Sequence, residues 1–293
     1  MAWCLNYVLL GVVSLGCNKS PATHEAEPQP TTHVAAVPSS DAAPPRATRK
    51  HLPQESTTEF RAPAAERVVA IGDLHGDLKA TRRALQLAGA IDTNDQWVGG
   101  KLVVVQTGDM LDRGDDDRAV LALLEKEQVA AAKAGGALYR LNGNHEVMNV
   151  QGDFRYVAAN GFKAYANESP SGRPEVAELP QEQKGRAEAF LPGGREARKL
   201  AALPAVWMVG DSLFAHGGVE PKHIRYGIDR INRELSAWMR GESPLPKHLA
   251  SEHTPFWTRA YGEAPASEET CAVLDEVLSS LKAVRLVVGH TPQ

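Results

Sequence analysis

Five short clusters along the chain carry residue types that bind metal ions and move protons. They are Gly72-Asp73-Leu74-His75-Gly76, Gly108-Asp109-Met110-Leu111-Asp112-Arg113-Gly114, Gly143-Asn144-His145-Glu146, His216-Gly217-Gly218 and Gly289-His290-Thr291-Pro292. Carboxylate, imidazole and carboxamide groups without a thiolate suit Mn, Fe or Zn rather than a cysteine-type structural zinc. Two such ions about 3.5–4 Å apart can hold both the attacking and the developing oxygens of an in-line displacement, and they lower the pKa of water towards neutrality. The glycines let the backbone turn sharply and let a metal or a phosphate come close. Any one cluster alone reads as a cap or a turn. Five in series, each directly after an apolar run, read as one site.

The runs that precede the clusters define the elements that must position them. Val68 to Ile71 is a short apolar strand ending at Gly72, and Asp73 and His75, two apart, face one way if the chain stays extended. A helix is predicted from Asp77 to Ala88 with Gly89 as its stop. Leu102 to Gln106 is a second strand. Asp115, Asp116 and Asp117 open a helix to about Lys133, where acids meet the positive end of the dipole. Ala137 to Leu141 is a third strand, after Gly135-Gly136. Strand, loop and helix repeated in this way predict an α/β fold with a largely parallel sheet, and ligands in such sheets sit at the carboxyl ends of the strands. The middle, about 160–203, is polar and rich in Pro and Gly, with one helical stretch at Gln181 to Phe190, and reads as a cap-like insertion over the site. Ala205 to Val209 and Ser212 to Ala215 are strands joined by a hairpin turn at Gly210-Asp211. Single helices over His223 to Arg240 and Glu269 to Lys282 and a last strand over Val284 to Val288 complete the pattern. Trp207, Met208 and Trp238 read as core.

The motifs GDLHG at 72–76, GDMLDRG at 108–114 and GNHE at 143–146 resemble those of the metallophosphoesterases, in particular the phosphoprotein-phosphatase branch. The run from Gly143 to Val157, GNHEVMNVQGDFRYV, is similar to the extended third motif of the Shewanella-like protein phosphatases. The resemblance spans about residues 67–293. It implies a calcineurin-like β sandwich flanked by helices, with the site at strand ends on one edge, and hydrolysis of phosphate monoesters by metal-activated hydroxide. It implies that Asp73 and His75 bind one divalent metal, that Asp109 bridges two, and that Asn144, His216 and His290 bind the second. By the same resemblance His145 protonates the leaving oxygen, Asp112 orients its imidazole, and Arg113 and Asn144 meet the substrate. Arg259, in Phe256-Trp257-Thr258-Arg259, is either a second phosphate-binding arginine or a surface residue. Arg155 and Tyr156 either line the pocket or belong to an ordinary helix. The fourth motif departs from the branch: Ala215-His216-Gly217-Gly218 stands where many relatives have His-Ala-Gly, with the ligand kept. Gln293 follows His290 by three residues, where relatives continue into a further strand, so either the sequence is truncated or the last sheet is short.

The implied cofactors are two divalent metals, Mn first and Fe or Zn otherwise. The implied substrate is a phosphoprotein, at Ser/Thr or Tyr, or a small phosphate ester. A nucleotide or diadenosine tetraphosphate hydrolase and an inactive tethered binding protein are the competing readings. A net charge of −4 on 293 residues is small, so charge alone suggests no nucleic-acid or membrane surface. The three cysteines, Cys4, Cys17 and Cys271, imply neither a disulfide framework nor a thiolate metal site. Residues 1–17 read as a targeting segment, because the apolar run Leu5 to Leu15 is too short to span a bilayer. Gly16-Cys17 fits a lipoprotein signal that tethers the protein to a membrane through lipidated Cys17. A secretory signal and a plain tail are the alternatives, since no Lys or Arg precedes the run. Residues 18–63, rich in Pro, Ala, Thr and Ser, read as a disordered tether, and its His24, His33 and His51 as tether residues. The expected location is the periplasm or a membrane surface, or outside the cell, with the catalytic domain at 64–293.

Overall fold

The computed structural model describes residues 60–262 and 265–291. The stretch expected to be a targeting segment, Cys17 and the expected tether as far as residue 59 lie outside the described residues. Among those described, the strands are β1 (Arg61–Ala62), β2 (Val68–Ile71), β3 (Val103–Gln106), β4 (Ala137–Arg140), β5 (Val206–Val209), β6 (Ser212–Ala215) and β7 (Arg285–Val287). The helices are α1 (Leu78–Leu87), α2 (Asp117–Lys133), α3 (Asn144–Gln151), α4 (Ala159–Lys163), α5 (Pro174–Ala177), α6 (Gln181–Phe190), α7 (Arg195–Leu200), α8 (Pro221–Tyr226), α9 (Ile228–Met239) and α10 (Glu268–Leu281).

The strands form two sheets rather than one. A three-stranded sheet in the order β2-β3-β4 is wholly parallel, with Val68 opposite Val103 and Val103 opposite Ala137. A four-stranded sheet in the order β1-β5-β6-β7 is mixed: β5 and β6 form the antiparallel hairpin, while β1 and β7 add in parallel. Alternation along each strand explains the stacking. Val68, Ala70, Val103 and Val105 pack with Val209, Phe214 and Val287 between the sheets, and Tyr139 and Trp207 meet there at 5.1 Å between ring centroids. The alternate residues Val69, Ile71, Val104, Met208, Leu213 and Leu286 belong to the larger core, where α2 packs on β4 and α10 on β7. Strands covered on both faces read as unbroken apolar runs. The result is the helix-flanked β sandwich that the resemblance implied.

Three boundaries differ from expectation. The disordered stretch expected over 18–63 does not extend to residue 63: Phe60 is buried at 4% exposure, and Met208 N donates to its carbonyl at 2.9 Å, so Arg61–Ala62 joins β5 as an edge strand. The single helix expected over 223–240 is two, broken at Gly227, whose φ of 103° no helix can hold. The segment 160–203 is mostly helical, and its Tyr165, Phe190, Ala197 and Leu200 are part of the main core.

Candidate metal centre

The five clusters meet at one edge of the sandwich, each just beyond the carboxyl end of a strand: β2, β3, β4, β6 and β7. Holding them there strains the backbone. His75, Asp109, Asp112, Arg113 and His290 all have left-handed φ values, between 46° and 69°, a conformation that costs a non-glycine residue of order 1 kcal/mol and persists where the surroundings enforce it. Gly108 is required by close approach: a Cβ there would lie 2.6 Å from Gly143 N. The loops are stitched together by Leu74 N and His75 N donating to Asp109 O at 2.9 and 3.0 Å. Glu146, fully buried, is the central brace. Its carboxylate accepts from the backbone N–H groups of Asp109 (2.8 Å), Met110 (2.9 Å), Leu111 (3.2 Å) and Gly143 (2.8 Å). Burial and the Asp109 carboxylate push its pKa up to about 7 against those donors. Sequence reasoning quoted Glu146 within a motif but gave it no task; at the third position of the helix capped at Gly143 its carboxylate reaches back to the Gly143 N–H, which is half of a capping box.

His216 Nδ1 lies 3.0 Å from the Thr107 carbonyl, which can only accept, so that nitrogen carries the proton. Its Nε2 then points at Asn144 Oδ1 (3.0 Å) and Asp109 Oδ2 (3.2 Å). A lone pair facing two acceptor oxygens is repulsive unless a cation lies between them. In the bare protein that cation is a proton: burial opposes it, but Asp109 and Asp73 push His216 up to about 9. Burial likewise opposes the Asp109 charge, yet His216 and His145 hold it below the ordinary carboxylate range. His75 repeats the pattern. Its Nδ1 faces Leu111 O at 3.1 Å, and its Nε2 faces Asp73 Oδ2 (3.8 Å) and Asp109 Oδ2 (3.9 Å). His290 Nε2 is buried with no hydrogen-bond partner. Burial, then the nearby His216 and Arg259, push its pKa down to about 3, leaving a neutral imidazole. Neutral imidazoles fixed through one nitrogen with the other turned to carboxylates are what metal sites require. The donor set fits two divalent ions that share Asp109.

Ligating atoms of Asp109, His216 and His290 lie within 4.8 Å of one another, and so do those of His75, Asp109 and His145. The second group contains His145 where the sequence pointed to Asp73. His145 differs from the other imidazoles in its partner: Nδ1 faces Asp112 Oδ2 at 2.7 Å, both side chains being buried. Burial lowers the pKa of His145, but the Asp112 bond and the Asp109 charge outweigh it and raise the value above the ordinary one. A carboxylate partner favours the charged form of this ring and sets it apart from His75 and His216, whose Nδ1 atoms face backbone carbonyls. Asp73 Oδ2 supplies the alternative anionic contact to His75, at a position still 25% exposed.

Two arginines stand at the rim. Arg113, exposed, places Nη2 3.5 Å from His145 Nε2, and its guanidinium lies 5.8 Å from the centre of the Tyr156 ring. Arg259 bonds across to the loop of the last cluster, at His290 O (3.4 Å) and Thr291 Oγ1 (3.2 Å). Tyr156 lines the site, 5.2 Å from the His145 ring, in a turn between α3 and α4 rather than in a helix. Arg155 turns away and pairs with Asp153 at 2.6 Å. Of the residues named as site candidates from the sequence, Arg155 alone turns away; the others are brought to one edge.

Residues 66–293 match the calcineurin-like phosphoesterase family. The chain is 38% identical to Shewanella-like protein phosphatase 2 of Arabidopsis thaliana, over 80% of this chain and 68% of that protein. It is 28% identical to Shewanella-like protein phosphatase 1 of Plasmodium berghei, over 78% and 61%. The crystal structure of a cold-active protein-tyrosine phosphatase from a psychrophilic Shewanella superposes with a TM-score of 0.62 at 26% identity, covering 79% of this chain and 67% of that one. The chain belongs to the calcineurin-like phosphoesterase family and is, within it, a metal-dependent phosphatase.

Proposed function

We propose that this phosphatase acts on phosphoproteins, at Ser/Thr, Tyr or both, with two metal ions held by Asp73, His75, Asp109, Asn144, His216 and His290. When bound, the ions supply positive charge for the phosphoryl oxygens and lower the pKa of water so that it attacks near neutral pH. The chain's own residues do the rest. Asp109, with two carboxylate oxygens, faces both halves of the site. Asn144 offers a neutral oxygen, which limits negative charge in front of an incoming phosphate. Arg113 presents a planar fork that matches phosphoryl oxygens bidentately. Arg259 does the same from the opposite rim once a phosphate draws it from Thr291. His145 holds its proton on Nε2, next to Arg113, and passes it to the leaving oxygen as the ester bond breaks, while Asp112 stabilises the imidazolium.

The observation that carries this reading is the Asp112–His145 pair. The imidazole lies 2.7 Å from a buried carboxylate that raises its pKa, and its Nε2 faces Arg113 Nη2 at 3.5 Å and Asp109 Oδ2 at 3.8 Å. A monoester with an unactivated alcohol or phenol needs such a donor. The protein-phosphatase names of the relatives support a phosphoprotein substrate. The test is a substrate panel for the full chain with Mn: phosphoserine, phosphothreonine and phosphotyrosine peptides against diadenosine tetraphosphate. Faster turnover of the peptides is expected. Preference for the dinucleotide contradicts the reading.

A further inference from the structure

Behind Asp112 lies a charged network that reaches out of the motifs and into the insertion. Arg186, on α6, is fully buried. Its Nη2 contacts Asp112 Oδ1 at 3.1 Å and Asp117 Oδ2 at 2.7 Å, both carboxylates being equally buried. Its Nε donates to Asn149 Oδ1 (2.8 Å) and its Nη1 to Gly161 O (3.0 Å). The guanidinium also lies over the Phe190 ring at 4.7 Å and the Tyr165 ring at 5.5 Å. Asn149 repeats the connection: its Nδ2 donates to Asp112 Oδ1 (2.9 Å) and to His145 O (2.9 Å). Asp117 Oδ1 in turn accepts from Asp112 N at 2.9 Å. The approach of α4 and α6 that makes this possible depends on Gly161, where a Cβ would come within 3.2 Å of Arg186 Nη1.

Every direction around Asp112 is therefore taken. Oδ2 faces His145, Oδ1 receives Asn149 and Arg186, and the backbone N–H is held by Asp117. The residue sits in the left-handed region at φ 69°, so it needs that support to stay where it is. Arg186 also separates two buried carboxylates that would otherwise repel. Its Nη2 lies between the two carboxylates, 3.1 Å from Asp112 Oδ1 and 2.7 Å from Asp117 Oδ2.

We propose that Arg186 is a positioning residue: by gripping Asp112 and Asn149 from the inserted helix α6, it sets the angle at which His145 presents its proton to the leaving oxygen. This rests on the reading of His145 as that donor. The segment 160–203 then supplies the back support of the proton-transfer pair.

A merely structural arginine would lower turnover of all substrates alike, or only stability. A positioning residue acts through the donor, and the donor matters most when the leaving oxygen is basic. The experiment compares phenyl phosphate, a poor leaving group, with 2,4-dinitrophenyl phosphate, a good one, using full-length wild type, Arg186→Lys, Asp117→Asn and His145→Asn with Mn. Arg186→Lys keeps the buried charge and removes the fork. Its expected kcat loss on phenyl phosphate is about 10-fold or more, against less than about 3-fold on the dinitrophenyl ester. Asp117→Asn keeps the local shape and releases one arm of Arg186; it shows the same pattern in smaller size and carries the test if the lysine variant does not fold. Equal losses on both esters, or none, while His145→Asn discriminates, overturn the role of Arg186. Absence of discrimination in His145→Asn itself overturns the donor reading beneath it, and the proposal with it.

Discussion

At the scale of single residues, the site separates five imidazole and amide groups into those that present a lone pair and one that presents a proton. Partner identity makes the difference. His75 and His216 give a proton to a backbone carbonyl, and His290 is left neutral, whereas His145 is paired with Asp112. This predicts a pH effect with a definite sign. The useful form of His145 is protonated, so kcat falls as pH rises through its pKa. Burial works against that form, and the Asp112 bond is the largest contribution in its favour. Asp112→Asn removes it, so the alkaline limb of the kcat–pH profile should move to lower pH, while the acid limb stays in place. An alkaline limb unmoved by the substitution would count against a proton donor oriented by Asp112. The motif residues that do this work were readable in the sequence because their types and order were complete. The support given by Arg186, Asn149 and Asp117 was not readable: a lone arginine in a polar helix, an asparagine inside the extended third motif or an acid opening a helix looks the same whether it faces solvent or a buried carboxylate.

At the scale of elements, the loops matter more than the strands they leave. Glu146 ties the loop after β3 to the start of α3 through four backbone donors. Glu146→Ala strips all four, and an unsatisfied buried donor costs about 1–3 kcal/mol. With partial rescue by water, the expected loss is at least about 3 kcal/mol, or roughly 6–12 °C in Tm for a domain of this size. A melt within about 2 °C of wild type would show that the brace is dispensable. Periodicity found most of these elements, and Gln181–Phe190 emerged with the expected bounds. It joined α8 to α9, because a glycine inside an amphipathic run is usually tolerated, whereas Gly227 takes a φ of 103°. It left residues 60–62 in the tether, because a two-residue strand has no period and its partner β5 lies well over 100 residues away.

At the scale of the whole molecule, the division into two sheets was not deducible from apolar runs alone. VVAI and VVVQ look alike whether a strand is covered by helices on both sides or by a helix and a second sheet. The resemblance supplied the sandwich, and the alternation of Val68 and Ala70 with Val69 and Ile71 between two separate cores bears it out. The sandwich gathers strand ends from both sheets at one edge, and the carboxylate of Asp109 stands where they converge, 2% exposed. The central claim, a shared-carboxylate metal site that hydrolyses phosphate monoesters, is tested most directly by para-nitrophenyl phosphate turnover of wild type and Asp109→Asn, each chelator-treated and then resupplied with Mn. The account predicts that chelation abolishes wild-type turnover, that Mn restores it, and that Asp109→Asn remains at least 10²-fold slower with Mn present, on the order of 3 kcal/mol of barrier. Turnover that survives chelation, or an Asp109→Asn variant as fast as wild type, would contradict it.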